Sequence, residues 1–413
     1  MKILLANSSF GGGGITTYAH ELINCLTQDY ELTVMLGDDS KYPINNPKVT
    51  VYHYDCDNLT VKNARAIISL INETIRPDII IASNALIIPI IAPFLLNTIK
   101  IFTISHSGKL FRSDYSTINH RYLDGIIAAS SEYNKAYLHR RFNVPLKKIE
   151  VIYNFIRDYN GIEAVIKEKK ESDDFIITYP CGGAAGKGPD VILKIAHELS
   201  KTDCKFKFYW TGKTMMPFKT LLNFFKKKDF KEYMPKDNRF VFPGRFPHKD
   251  DIDKLMAKSD VLLFPSRNEG CSMTLLEALR DETIPFVTEH KHSNREIVKD
   301  GVNGFVINHK DIKRFVNEIC LLMKEKEQKD LMMINARASY LHDFTYERWN
   351  EQIAKVLLKE TNHLLRKEKI SNLCLAFYIL RIKWLYCYDL VLRFFILYWP
   401  VLRTMLFWKQ KMR

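Results

Sequence analysis

The chain opens twice in the same way, and that repetition constrains its fold most. Residues 2–6 are a short apolar run, residues 7–14 a turn containing Gly11–Gly14, and residues 15–26 a segment that places Tyr18, Leu22 and Leu26 on one helical face. Downstream, Phe175–Tyr179 is a second β-type run. A glycine-rich turn follows at 182–188, and then Pro189, a residue favoured at the first position of a helix. Strand, glycine turn and helix in that order begin a parallel α/β sheet, because parallel neighbours need a crossover, usually helical. After each opening, strand and helix patterns alternate. Strands are expected at 31–36, 49–54, 78–82, 100–105 and 125–129, and again at 206–211, 240–243, 260–264, 284–288 and 304–307. The pattern predicts two doubly wound parallel sheets. The polar, charge-dense stretch 155–174, which includes EAVIKEKKESDD, reads as the linker between them. The expected domains are 1–160, 161–345 and a third segment, 346–413, whose end differs in composition.

A chain of 413 residues, 46% hydrophobic and 26% charged, can bury a large core without covalent staples. Its 8 cysteines form no CxxC pair, so a zinc site or disulfide framework is not expected and a reducing compartment fits. The net charge of +14 is localised: residues 360–413 and residues 205–239 each carry ten Lys/Arg against three Asp/Glu. Such patches suit an acidic partner, whether nucleic acid, anionic lipid or phosphorylated substrate. Lys2–Ala6 is too short for a secretory apolar region. Residues 79–99 lack charge over transmembrane length, but Pro89 and Pro93 interrupt them. They divide better into a strand at 78–82, a helix at about 85–96 and a strand at 100–105.

The chemistry-bearing residues lie at the carboxyl ends of the expected strands. The first glycine loop could bring backbone amides to a phosphate or sugar. It is not a dinucleotide fingerprint, since Thr16 stands where the third glycine belongs, although Asp38 and Asp39 after the second strand keep a NAD-type site open, as is a plain flexible turn. In the second loop, Lys187 stands just before a helix, where an ammonium and helix amides together could neutralise a diphosphate. The residues after it are Gly188 and Pro189, so it is not a P-loop, and a solvated turn lysine is the plain alternative. EGCSMTLLEAL at 269–279 is the strongest constellation. Glu269 falls on the loop after strand 260–264, Ser272 is placed to cap a helix from 273, and Leu275 provides no capping-box acid. The amides of Ser272, Met273 and Thr274 therefore stay available to an anion. Glu277 follows one turn in, and its two carboxylate oxygens match the two hydroxyls of a ribose. The alternative is an acidic loop residue and an unrelated helix glutamate.

At this point the chain resembles the retaining glycosyltransferases of the GT-B fold, family 4. Glu269 and Glu277 match the family's Glu-x7-Glu hallmark. In the family's order stand also the Gly11–Gly14 loop, His106 in TISHSGK, DGIIAASSEYNKAYL at 124–138, VPLKKIEVIYN ending at Asn154, Lys187-Gly188, SDVLLFPS at 259–266 and REIVKDGVNGFVI at 295–307. The resemblance covers about residues 1–358. It implies a GT-B architecture: two Rossmann-like doubly wound domains facing a cleft, followed here by a helical basic C-terminal tail. It implies a UDP- or GDP-sugar donor held mainly by the C-terminal domain. Glu277 would bind the ribose, Glu269 the donor sugar, Lys187 and the amides at Ser272–Thr274 the diphosphate. Gly13 and Gly14 would face the diphosphate or acceptor, and His106 the donor sugar; a structural histidine is the alternative there. The family usually has an arginine where this chain has Gly182, which leaves Arg267 and Lys213 as candidates for a second cation.

The expected activity is transfer of a sugar, with retention, to a hydroxyl of a surface-glycan or lipid-linked acceptor. No cofactor is expected beyond the donor. No Asp-x-Asp motif stands in a plausible loop, so no metal is expected, and no nucleic-acid partner either. A sugar-nucleotide epimerase of the same fold, or a non-catalytic sugar-nucleotide binder, are the other readings. Residues 373–408 hold Trp384, Trp399 and Trp408 among Leu, Phe, Ile, Tyr and basic residues. That composition suits helices lying on an anionic membrane surface, which would place the protein on the cytoplasmic face of the plasma membrane. Helices packed on the N-terminal domain are the alternative.

Overall fold

The computed structural model describes residues 1–7, 14–37, 44, 46–55, 58–106, 115–214, 229–246, 249–267, 269–289 and 293–359, together with 373, 375, 376, 379 and 380. Gly11–Gly13, Asp38, Asp39, residues 215–228 and most of the tail lie outside the described residues.

The strands are β1 (Lys2–Asn7), β2 (Glu31–Leu36), β3 (Val49–His53), β4 (Ile79–Ser83), β5 (Lys100–Ser105), β6 (Gly125–Ala128), β7 (Ile149–Val151), β8 (Ile176–Tyr179), β9 (Lys207–Thr211), β10 (Phe240–Gly244), β11 (Val261–Phe264), β12 (Ile284–Thr288) and β13 (Phe305–Ile307). The helices are α1 (Gly14–Asp29), α2 (Val61–Ser69), α3 (Ile87–Ile91), α4 (Glu132–Phe142), α5 (Ile162–Glu171), α6 (Pro189–Leu199), α7 (Lys249–Lys258), α8 (Met273–Arg280), α9 (Asn294–Ile297), α10 (Ile312–Lys324), α11 (Lys326–Asp343) and α12 (Tyr346–Leu358).

Two compact units result. Met1–Asn154 with the described residues from Glu347 on forms the first, and Phe155–Tyr346 the second. Among the described residues, the first carries a seven-stranded sheet in the order β3-β2-β1-β4-β5-β6-β7, the second a six-stranded sheet in the order β10-β9-β8-β11-β12-β13. The strand pairs are parallel. Central strands are buried on both faces, as β4, β11 and β12 are throughout, which is why they read as continuous apolar runs. Each sheet runs outward in one direction and then reverses, between β1 and β4 in the first unit and between β8 and β11 in the second. At such a switch point the flanking crossovers leave on opposite faces and open a crevice beyond the strand ends.

Three expectations change. The stretch 155–174 is not simply a linker: α5 forms within it, because Ile162, Ile166 and Lys169 at helical spacing are buried in the second unit. The expected helix at 85–96 contracts to α3, followed by a 3-10 turn at Ala92–Phe94 that carries Pro93. The VPLKKIEVIYN stretch contributes an additional edge strand, β7, beside β6.

Where the chain returns to the first unit, Trp349 of α12 meets Tyr18 of α1 edge-on at 6.1 Å. At the described positions of the tail, Leu375 and Ile379 are buried in the same core cluster as Leu4 and Ile80, whereas Leu380 is exposed. This part of the tail packs on the first unit. Among the described residues no helix is long and apolar enough to cross a membrane.

Candidate active site

The site is built at the switch point of the second sheet, from the loop joining β8 to α6 and the loop joining β11 to α8. Glycine decides how closely these loops approach. Gly188 has φ +75°, and a Cβ there would sit 2.1 Å from the carbonyl oxygen of Pro265, so only glycine fits. Pro189 then starts α6, whose Val191, Ile192, Ile195, Ala196 and Leu199 are buried and fix the helix against the sheet. Gly182 has φ +59°, and its Cβ would meet the Lys213 carbonyl at 2.9 Å; next to it the Gly183 N–H donates to that same carbonyl at 2.7 Å. The Tyr179 hydroxyl, buried at the end of β8, donates to the carbonyls of Gly182 (3.0 Å) and Lys187 (3.2 Å) and pins the loop at both ends.

Glu269 is the buried acid of the site. Its side chain is 12% exposed, and a carboxylate so placed must be satisfied by donors. Lys187 Nζ stands 2.6 Å from Oε1, and the Ser266 hydroxyl makes a short hydrogen bond to the same oxygen. Burial alone would lower the Lys187 pKa, but the Glu269 carboxylate outweighs it and the pKa is raised, so the ammonium stays charged. Lys187 Nζ also lies 5.2 Å from the centre of the Phe264 ring.

The α8 end is open in the sense the sequence suggests. Ser272 occupies the N-cap position with φ −76° and ψ 124° but makes no side-chain capping bond, and the Leu275 and Leu276 amides return to its carbonyl. The amides of Met273 and Thr274 are first-turn groups, which no intrahelical carbonyl can reach. Glu277 is half-buried one turn further on. The Cys181 thiol lies just beyond β8. Burial pushes its pKa up to about 12, Lys187 pulls it down, and Glu269 and Glu277 raise it.

Two of the other sequence candidates belong to the first unit. His106 follows β5, with its Nε2 2.9 Å from the Ser83 hydroxyl at the end of β4 and its ring edge-on to Tyr18 at 5.0 Å. Gly14 is the first residue of α1, after β1; Gly13 lies outside the described residues. Of the two candidate second cations, Arg267 is already engaged. Its Nη2 lies 2.6 Å from both carboxylate oxygens of Asp190 and its Nη1 donates to the Ala185 carbonyl at 2.8 Å. Lys213 is exposed in the turn after β9. Sequence reasoning missed the contributions of Ser266, Tyr179, Cys181 and Asp190. Tyr179, Cys181 and Asp190 stand in no motif and Ser266 only ends the SDVLLFPS run; the contacts of Ser266 and Asp190 join separate loops, which spacing does not reveal. Among the described residues no three His, Cys, Asp or Glu side chains gather as a metal site.

Two parallel α/β units, each reversing its strand order once, with a Lys187–Glu269 contact beside the start of α8 in the second, define the doubly wound class of fold, in which ligands bind beyond the strand ends at the reversal. Known proteins make that class specific. The family model "Glycosyl transferases group 1" matches residues 162–339, and "Glycosyltransferase Family 4" matches residues 12–158. Anabaena HepE, solved in complex with UDP, superposes with a TM-score of 0.67 at 19% identity, over 86% of this chain and 99% of that one. The chain belongs to the GT-B glycosyltransferases of the family 4 kind. Among curated relatives it is 24% identical to the N-acetyl-alpha-D-glucosaminyl L-malate synthase of Bacillus anthracis, over 49% of this chain and 52% of that protein. It is 29% identical to the UDP-Gal:alpha-D-GlcNAc-diphosphoundecaprenol alpha-1,3-galactosyltransferase of Escherichia coli, over 23% of this chain and 24% of that protein. The chain thus spans about half the length, or less, of these curated relatives.

Proposed function

We propose that the protein transfers a sugar, with retention of anomeric configuration, from a UDP- or GDP-sugar to a hydroxyl of a lipid-linked or surface-glycan acceptor. The observation that carries the reading is the Lys187–Glu269 contact at the β8/β11 switch point, beside an uncapped helix end. A diphosphate placed there meets one ammonium and first-turn amides of α8, the charge distribution that stabilises a leaving nucleoside diphosphate. Glu277 binds the ribose hydroxyls. Glu269 faces the transferring sugar, where positive charge develops, and orients it without forming a covalent bond. The acceptor proton passes to a donor phosphate oxygen on the face from which the diphosphate leaves. Lys213, the candidate cation that Asp190 does not engage, joins Lys187 at the diphosphate. The UDP bound by HepE supports the donor class, and the diphosphoundecaprenol in the name of the E. coli relative supports a lipid-linked acceptor in cell-envelope biosynthesis. A basic tail on an anionic leaflet would hold the enzyme where such acceptors are found.

The test is a thermal-shift screen of nucleotide-sugars on the full chain, since a donor at about a hundred times its Kd adds about 2.7 kcal/mol of stability. Transfer from the stabilising donor follows, with the product anomeric configuration read from proton NMR couplings. A product with the donor's configuration is expected. An inverted product would remove the mechanism, and a chain that no nucleotide-sugar stabilises would remove the donor site. Binding of the full chain to vesicles containing anionic lipid, weakened by salt, checks the location.

A further inference from the structure

We propose that Arg267 and Asp190 are a positioning pair that sets the Lys187 loop against the Glu269 loop and neutralises a carboxylate at the start of α6, so that a diphosphate can approach Lys187. The inference rests on the donor-site reading above.

Asp190 is the second residue of α6 and its side chain is 5% exposed. A carboxylate in the first turn favours the helix itself, because the amide dipoles present positive charge there. It also competes with any anion brought to the same end. Unpaired, it would be a buried charge that repels the diphosphate. Arg267 removes both problems at once. Its side chain is 16% exposed and meets both carboxylate oxygens at 2.6 Å, so the pair is neutral to its surroundings.

The same arginine brackets Lys187. Its Nη1 donates to the Ala185 carbonyl and its backbone N–H to the Gly186 carbonyl, each at 2.8 Å, and its Nη2 reaches Asp190 on the other side of the lysine. Ser266 adds a hydroxyl contact to the Gly186 carbonyl at 3.1 Å. Arg267 itself stands two residues before Glu269. The loop carrying the cation and the loop carrying the acid are therefore tied at three points around the Lys187–Glu269 contact. A planar, always charged guanidinium is needed to reach the Ala185 carbonyl and both Asp190 oxygens together; an ammonium could not.

The experiment measures UDP and uridine binding by calorimetry on the full chain, at about 50 mM and about 300 mM salt, because a charge effect is screened and a packing effect is not. Arg267→Gln is expected to weaken UDP about tenfold, leaving uridine unchanged, since one uncompensated charge near the phosphates acts only on the charged ligand. Asp190→Asn in that background should recover most of the loss. Asp190→Asn alone should bind UDP at least as tightly as wild type but turn over more slowly, because Arg267 loses its anchor on α6 and holds the loops less firmly. Arg267→Lys, which keeps the charge and loses the fork, should hold UDP to within about threefold while kcat falls; it also serves as the test if Arg267→Gln does not fold. The inference is overturned if folded Arg267→Gln binds UDP like wild type, if it or Arg267→Lys loses UDP and uridine together, or if the double variant is no better than Arg267→Gln. Wild-type protein that binds neither UDP nor GDP would instead end the donor-site reading.

Discussion

Glu269→Gln should strengthen binding of the nucleoside diphosphate while it nearly abolishes transfer. Lys187 Nζ rests 2.6 Å from Glu269 Oε1, with side chains 35% and 12% exposed. A diphosphate must draw the ammonium away from that carboxylate. At an effective dielectric near 20 the gross attraction of such a pair is about 6 kcal/mol, most of it offset by desolvation and side-chain ordering. Net values run from about 0.2–1 kcal/mol for exposed pairs to about 1.5–3 kcal/mol for charge-assisted hydrogen bonds. This half-buried contact falls between them, at about 1 kcal/mol. Gln keeps the shape and a partner for the Ser266 hydroxyl but releases Lys187. UDP, or GDP if that base is preferred, should therefore bind about fivefold more tightly. Transfer should fall about a hundredfold or more, because the charge facing the developing positive sugar is lost. Calorimetry with the nucleotide and steady-state kinetics with the nucleotide-sugar measure the two effects. A Glu269→Gln protein that binds the nucleotide as weakly as wild type, or more weakly, would refute the competition between carboxylate and diphosphate.

Glu277→Gln should act on binding more than on chemistry, because the ribose does not change during reaction. KM for the donor should rise about ten- to a hundredfold with a smaller change in kcat, and uridine should be weakened as much as UDP. Gly188→Ala should destabilise the second unit by about 2 kcal/mol or more, read in denaturant titration, since its methyl would meet the Pro265 carbonyl in a left-handed backbone conformation. Lys169→Met should cost about 3–5 kcal/mol. The buried ammonium donates to the carbonyls of Asp281 (2.7 Å), Glu282 (3.0 Å) and Ser259 (3.3 Å) and faces Asp260 and Asp281, so a melting temperature within a degree or two of wild type would show that this pin is dispensable.

What the sequence determined by itself was whatever depends on neighbours along the chain. Apolar runs such as Ile79–Ser83 and Val261–Phe264, followed by helical periodicity, were enough to specify two parallel α/β sheets. A strand buried on both faces and a helix with one apolar stripe leave local patterns. The Gly182–Gly188 turn and Pro189 were legible for the same reason, since backbone freedom and a fixed φ are properties of single residues. Glu269, Glu277 and Lys187 could be placed on loops at strand ends, but not in contact.

Contacts between distant segments were decided only by the tertiary structure. Lys187 and Glu269 are 82 positions apart, and Arg267 and Asp190 are 77 apart. Both pairs meet because β8 and β11, consecutive in neither sequence nor spacing, become neighbours where the sheet reverses. Charge density made 155–174 look like a linker, yet Ile162, Ile166 and the fully buried Lys169 give α5 a face to bury. The carbonyls of Ser259, Asp281 and Glu282 and the nearby carboxylates of Asp260 and Asp281, all from far along the chain, make a lysine tolerable there. Leu375 and Ile379 likewise carry no mark distinguishing a lipid-facing from a core-facing residue; the first unit's core settles their place. Local pattern records which surfaces must leave water. It does not record which partner removes them, because that depends on the packing of the whole sheet.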